Sequence, residues 1–215
     1  MIGILDLQGG VLEHLDHLQR LGIPARRVKV ATELKGLKGL ILPGGESTCL
    51  RRLLAMEKMD DAIRAAAKRG LKLWGTCAGA ILLADEIVGE TGILKLMEIT
   101  VERNAYGSQL DSFNCLVSIA ELAPEPLPLV FIRAPVIVRT GKSVRTLLEV
   151  KGKIAAAESD AALVTTFHPE LSPTLAFHAY FAHKCGVRPT TKTMALAPDW
   201  SMTSWTRRSF GNSHW

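Results

Sequence analysis

Apolar residues in the first part of the chain fall into two alternating rhythms. Short runs at residues 2–7, 39–42 and 71–75 are largely apolar, as expected of strands buried on both faces, and residues 26–30 read as a further strand. Between them, residues 11–22 carry apolar side chains at 11, 12, 15, 18 and 21, which is helical spacing; Gly22, Ile23 and Pro24 end that helix. Residues 46–56 and 60–69 read as helices too, and 78–84 start another. Strand and helix in alternation predict a parallel sheet covered on both faces. Residues 98–158 break this rhythm into short β-like runs with Gly and Pro turns, and residues 163–167 and 171–185 return to strand and helix. The predicted fold class is therefore α/β: a single-domain three-layer α/β/α sandwich with a mostly parallel central sheet and an antiparallel extension. The sequence shows no internal repeat. From residue 186 the composition shifts to Thr, Ser, Pro, Arg and Trp without periodicity, so the predicted organisation is one domain at 1–185 and a poorly ordered tail at 186–215.

Composition narrows this picture. The 215 residues are 47% hydrophobic and 22% charged, which supports a substantial core and excludes wholesale disorder. Of the net charge of +5, Arg188, Lys192, Arg207 and Arg208 against Asp199 place +3 in the tail, so the body carries only +2 and no basic stripe. Nucleic acid is accordingly not an expected partner. The four cysteines, Cys49, Cys77, Cys115 and Cys185, form neither a C-x-x-C pair nor a zinc pattern, which fits a reduced, cytoplasmic protein. The first residues lack a basic segment followed by a long apolar stretch, and the run at 78–84 is too short to span a bilayer, so neither a signal peptide nor a membrane partner is expected.

Three motifs carry chemistry. Gly75-Thr76-Cys77-Ala78-Gly79 lies between an apolar strand and an apolar helix, the setting of a nucleophile elbow with Cys in place of Ser. A helix starting at the nucleophile favours thiolate. Alone, Cys77 reads equally as a small buried residue at a helix start. Phe167-His168-Pro169-Glu170 follows another predicted strand, so a base and a carboxylate that orients it share one loop. A lone loop histidine beside a solvated glutamate is the bland reading; a nucleophile, base and carboxylate all at parallel strand ends is the better one, because active sites of open α/β sheets gather at that edge. Pro43-Gly44-Gly45-Glu46-Ser47-Thr48 is either a simple turn capped by Ser47 or Thr48, or a place where one backbone N–H joins that of Ala78 in an oxyanion hole.

Together with Leu7-Gln8-Gly9, Val101-Glu102-Arg103-Asn104 and Phe131-Ile132-Arg133-Ala134-Pro135, these segments resemble, in order from residue 2 to about 185, the glutaminase subunits of pyridoxal 5'-phosphate synthase, a class I glutamine amidotransferase-like family. The cysteine and His-x-Glu motifs mark the wider class; the Gly-Gly-Glu-Ser-Thr and Phe-Ile-Arg-Ala-Pro segments narrow it. The resemblance implies a Cys77–His168–Glu170 triad, an oxyanion hole at Gly45 and Ala78, and glutamine contacts at Gly45, Glu46, Ser47, Arg103, Ile132 and Arg133. It places Gln8 on the partner-facing side. It also implies no metal and no organic cofactor, and a large hetero-oligomer with the synthase subunit that accepts the ammonia. Two arginines suit the α-carboxylate of glutamine, which a guanidinium binds as a planar fork. Cys49 departs from the family's usual Thr, and the tail has no recognised counterpart.

Other signals lead elsewhere. Gly141-Lys142-Ser143 lacks the Gly that a P-loop needs at position 136, where Val136 stands, and reads as a turn. His14 and His17 are one helical turn apart but alternate with Glu13, Asp16 and Gln19, so they are expected on a solvated face. His178 and His183 have no acidic or Cys partner at ligand spacing. Trp200, Trp205 and Trp215 lie in the tail, where aromatic and basic residues carry no necessary function. The alternatives to the glutaminase reading are the glutaminase of another class I amidotransferase and a catalytically silent docking subunit.

Overall fold

A computed structural model describes residues 1–103 and 112–190. Thirteen strands are found among them: β1 (Ile2–Leu5), β2 (Ala25–Val28), β3 (Gly39–Leu42), β4 (Lys72–Thr76), β5 (Ala84–Ile87), β6 (Glu90–Thr91), β7 (Met97–Glu102), β8 (Phe113–Val117), β9 (Leu127–Phe131), β10 (Val136–Thr140), β11 (Arg145–Val150), β12 (Lys153–Glu158) and β13 (Ala162–Thr165). Five helices accompany them: α1 (Val11–Arg20), α2 (Ser47–Met56), α3 (Met59–Lys68), α4 (Ala78–Leu83) and α5 (Ala176–Lys184). The main sheet runs β2-β1-β3-β4-β13-β12-β10-β7-β5-β6, with β11 paired to β12. From β2 to β13 every pairing is parallel. Beyond β13 the pairings through β12, β10 and β7 are antiparallel. This is the expected parallel sheet with an antiparallel extension. Strands β8 and β9 form a separate antiparallel pair.

The strand alternation sorts side chains between two cores. Leu40, Leu42, Leu73 and Val164 face α2, α3 and α4, whose Leu50, Leu54, Ile63 and Ala80 complete one cluster. Ile2, Ile4, Ile41, Trp74 and Leu163 face the other way, against Val11 and Leu18 of α1 and Phe177 and Phe181 of α5. These strands are buried on both faces, so they read as continuous apolar runs.

Element ends differ from the periodicity in places. Strand β1 stops at Leu5 and β2 spans Ala25–Val28. The last helix begins at Ala176, not 171: Pro169–Leu171 is a 3₁₀ turn, and the segment with Pro173 intervenes. A proline pushes the residue before it out of the helical region. The phase of α1 also differs. Leu12 is 66% exposed, whereas His14 and His17 are buried at 0% and 4%, which corrects the expectation of a solvated face. His14 follows Val11 by three and precedes Leu18 by four, so it sits on the same buried stripe. The Gly141 segment is a turn as expected, closed by Val144 N–H on the Gly141 carbonyl. Asn104 and the tail from 191, with its three tryptophans, lie outside the described residues.

Candidate active site

The carboxyl ends of β1, β3, β4 and β13 open into one cleft of about 550 Å³. Cys77 follows β4 immediately. Its backbone is held at φ 47° and ψ −105°, a conformation rare for a non-glycine residue. The neighbours must be small for steric reasons. A Cβ on Gly75 would meet the Gly79 backbone, and a Cβ on Gly79 would run into the Leu42 carbonyl. Cys77 N–H donates to Thr165 O at 2.8 Å, which ties the elbow to β13. The bland reading of Cys77 as a packed hydrophobe accounts for its burial but not for this strained geometry.

His168 reaches the cleft from the loop after β13, and its N–H donates to Val130 O at 2.8 Å. Its Nδ1 donates to Glu170 Oε1 at 2.8 Å. Cys77 Sγ lies 4.0 Å from the Ile132 carbonyl. Burial works against an imidazolium here, but the Glu170 carboxylate and Cys77 outweigh it and hold His168 well above its ordinary range. Glu170 is itself buried on the 3₁₀ turn. Burial raises its pKa; His14 and His168 more than offset this and bring it down to about 2.

The turn after β3 packs against both groups: a Cβ on Gly44 would strike the His168 ring. Gly44 N–H donates to Thr76 Oγ1 at 2.9 Å, so Gly45 is the glycine of this turn with its N–H uncommitted to that contact. The helix cap is neither Ser47 nor Thr48. It is Glu46, whose carboxylate accepts Thr48 N–H at 3.0 Å and Cys49 N–H at 2.6 Å. Gln8 Oε1 accepts Glu46 N–H at 2.8 Å, joining the β1 and β3 loops.

Every residue expected from the sequence to act on glutamine or face the partner lines this cleft. Gln8, Gly45, Glu46, Ser47, Cys77, Ala78, His168 and Glu170 are all part of its lining. Arg103, Ile132 and Arg133 close it from beyond β7 and β9. Arg103 pairs with Glu90 at 3.3 Å. Arg133 sits in the left-handed region at φ 43°.

Sequence reasoning missed a cluster behind the carboxylate. His14 Nδ1 lies 2.8 Å from His178 Nε2, and His14 Nε2 lies 3.5 Å from Glu170 Oε2 and 3.4 Å from Thr76 Oγ1. His17 Nε2 lies 2.8 Å from the Ser172 carbonyl. Helical phase, rather than the mix of neighbouring residue types, was the available signal for His14. Among the described residues no group of three or more His, Cys, Asp or Glu side chains is arranged to hold a metal ion.

The cleft thus brings together a strained cysteine, a histidine bound to a buried glutamate and a glycine turn, the set expected from the sequence of a cysteine-nucleophile hydrolase. The profile of the SNO glutamine amidotransferase family matches residues 4–187, and the chain belongs to that family. It is 53% identical over 208 residues to the pyridoxal 5'-phosphate synthase subunit PdxT of Syntrophus aciditrophicus, covering 96% of this chain and 93% of that one. The PdxT of Clostridium kluyveri is 46% identical over 185 residues, covering 86% of this chain and 98% of its own. A solved glutamine amidotransferase structure superposes with a TM-score of 0.82 at 42% identity, over 86% of this chain and 99% of that one. A match covering 96% of the chain cannot stop at residue 185, so part of the C-terminal segment has a counterpart, contrary to the expectation from sequence. Among the described residues no helix is long and apolar enough to cross a membrane.

Proposed function

We propose that the chain is the glutaminase subunit of a cytoplasmic pyridoxal 5'-phosphate synthase. It hydrolyses L-glutamine to L-glutamate and ammonia, and passes the ammonia to the synthase subunit for vitamin B6 formation. Family membership and relatives named for this role support the reading, and the four unpaired cysteines suit the cytoplasm. The observation that carries the chemistry is the strained Cys77 beside a His168 whose Nδ1 is bound to buried Glu170.

His168 holds the Cys77 proton as an imidazolium stabilised by Glu170, and the thiolate so formed attacks the side-chain amide carbon of glutamine. The N–H groups of Gly45 and Ala78 stabilise the tetrahedral oxyanion, a contribution on the order of 10²–10³-fold per donor. Glu170 holds the imidazole and stabilises its cationic form without exchanging protons itself. His168 then protonates the departing ammonia, and water hydrolyses the γ-glutamyl thioester. Arg103 and Arg133 are the guanidinium candidates for the α-carboxylate, with Glu46, Ser47 and Ile132 shaping the rest of the substrate site. Gln8 links the cleft rim to the partner-facing side.

The test is ammonia release from glutamine with the cognate synthase present. Cys77→Ala abolishes it while synthesis from supplied ammonium persists. Glu170→Gln, which keeps size but removes charge, lowers turnover on the order of 10²–10⁴-fold with near-normal glutamine affinity. Glutamine hydrolysis by Cys77→Ala would remove the nucleophile from this scheme, and full turnover by Glu170→Gln would reduce the triad to a Cys77–His168 dyad.

A further inference from the structure

Behind Glu170 lies a set of buried imidazoles for which the hydrolytic scheme has no use. His14 and His178 are both fully buried, come from positions 164 residues apart on α1 and α5, and meet at 2.8 Å. Trp74 packs edge-on to both rings, at centroid distances of 5.6 Å and 4.9 Å. A polar side chain enters such surroundings at a cost unless its hydrogen bonds are made.

The partners decide which nitrogen carries each proton. His14 Nε2 hydrogen-bonds Thr76 Oγ1 at 3.4 Å and lies 3.5 Å from Glu170 Oε2, a buried oxygen with no hydrogen bond of its own. A lone pair aimed at a carboxylate oxygen would repel it, so Nε2 bears the hydrogen. In a neutral ring Nδ1 is then an acceptor, and His178 Nε2 must donate to it. That leaves His178 Nδ1 unprotonated, and this atom is buried without a partner. An orphaned lone pair is the cheaper orphan, since buried N–H groups are almost always paired. The opposite direction would bury an unpaired N–H at one end and set a lone pair against an anion at the other. Both ends of the chain therefore favour the same order of donation.

We propose that His14 and His178 are positioning residues: an uncharged imidazole pair, protonated in one direction, whose His14 Nε2–H faces Glu170 Oε2 across 3.5 Å and so favours the rotamer that sets the other oxygen, Oε1, on His168 Nδ1. The inference rests on the triad reading above. Gly10 also packs close to this carboxylate: a Cβ there would lie 3.0 Å from Glu170 Oε1. The carboxylate is thus held between the start of α1 and His14, with His168 as its working partner. The charged and titratable groups around the pair are Glu170, His17, His168 and Arg20. Burial keeps His14 down at about 4 and His178 well below its ordinary range, so at neutral pH the pair offers dipoles and not charge.

The experiment uses the complex with the synthase subunit and reads glutamine hydrolysis against pH. His14→Leu lowers kcat about 3- to 10-fold, the loss expected when a polar contact short of a full hydrogen bond to a charged group is removed, and leaves KM within about twofold. His14→Gln, whose side-chain amide supplies an N–H near the Nε2 position, recovers most of the rate. His14→Leu also moves the acidic limb of the pH–rate profile, which a packing defect alone would not do. Glu170→Gln run alongside separates the two ideas. If it turns over normally, the triad reading falls and takes this inference with it. If it is slow while folded His14→Leu keeps wild-type kcat and pH profile, only the inference falls. Nitrogen-15 spectra of histidine-labelled wild-type protein decide the matter even if no variant folds. The expected signature is a protonated Nε2 and a bare Nδ1 on both His14 and His178; the reverse assignment on either overturns the proposal.

Discussion

Acid should unfold this protein earlier than its carboxylates alone require, because three imidazoles are buried uncharged. Burial lowers His14 from 6.5 to about 4 and His178 far below 6.5. It also lowers His17, where burial outweighs the favourable Ser172 and Glu13 carbonyls. In the unfolded chain each takes up a proton near pH 6.5; in the folded chain His14 does so only near 4. The unfolded state then binds more protons, so stability falls as pH falls through this window. His14 alone removes about 2 kcal/mol between pH 7 and pH 5, and about 3 kcal/mol once the pH is below 4. His17 and His178 add with the same sign. The other groups of the site act elsewhere. Glu170, lowered to about 2, contributes stability that is present above its unfolded value and lost only as pH falls from there towards 2. His168, raised, contributes stability that is complete below 6.5 and lost at higher pH. Urea denaturation followed by far-ultraviolet circular dichroism at pH 7, 6 and 5 measures the slope. His14→Leu should flatten it by the share of one group. Stability that is level or rising on acidification would mean that His14 is protonated in the folded state as the counter-ion of Glu170, and the argument from burial would be wrong.

Two further outcomes follow from the packing. Gly79→Ala drives a Cβ into the Leu42 carbonyl and should cost on the order of 3 kcal/mol or leave the chain insoluble, whereas Gly141→Ala meets the movable Glu98 side chain and should cost under about 1 kcal/mol; melting temperatures of the pair compare them directly. A chain ending at Thr190, whose N–H and hydroxyl close onto the Leu21 and Gly22 carbonyls, should keep its melting temperature within a few degrees and its glutaminase activity with the synthase, and loss of complex formation would show that the C-terminal segment is used.

Much of the architecture was legible in the chain itself. Continuous apolar runs at β1, β3, β4 and β13 announce strands buried on both faces, and the helical spacing between them forces a parallel sheet. The elbow was legible because its constraint is local: only small residues allow the close approach of β4 and α4 around Cys77. The His168–Glu170 pair was legible for the same reason, since both ends lie within one loop. Element ends were less so. Glu46 was placed in the second helix, but its carboxylate turns back to cap that helix from outside. What the tertiary structure alone decided is the fate of polar groups that need distant partners. Helical phase puts His14 on the buried side of α1, yet a histidine stays there only if something accepts its hydrogen bonds, and those partners come from residues 76, 170 and 178. Sequence spacing carries the direction of a side chain; it does not carry what waits for it across the core, because that depends on how α1, α5 and the β13 loop are brought together by the sheet.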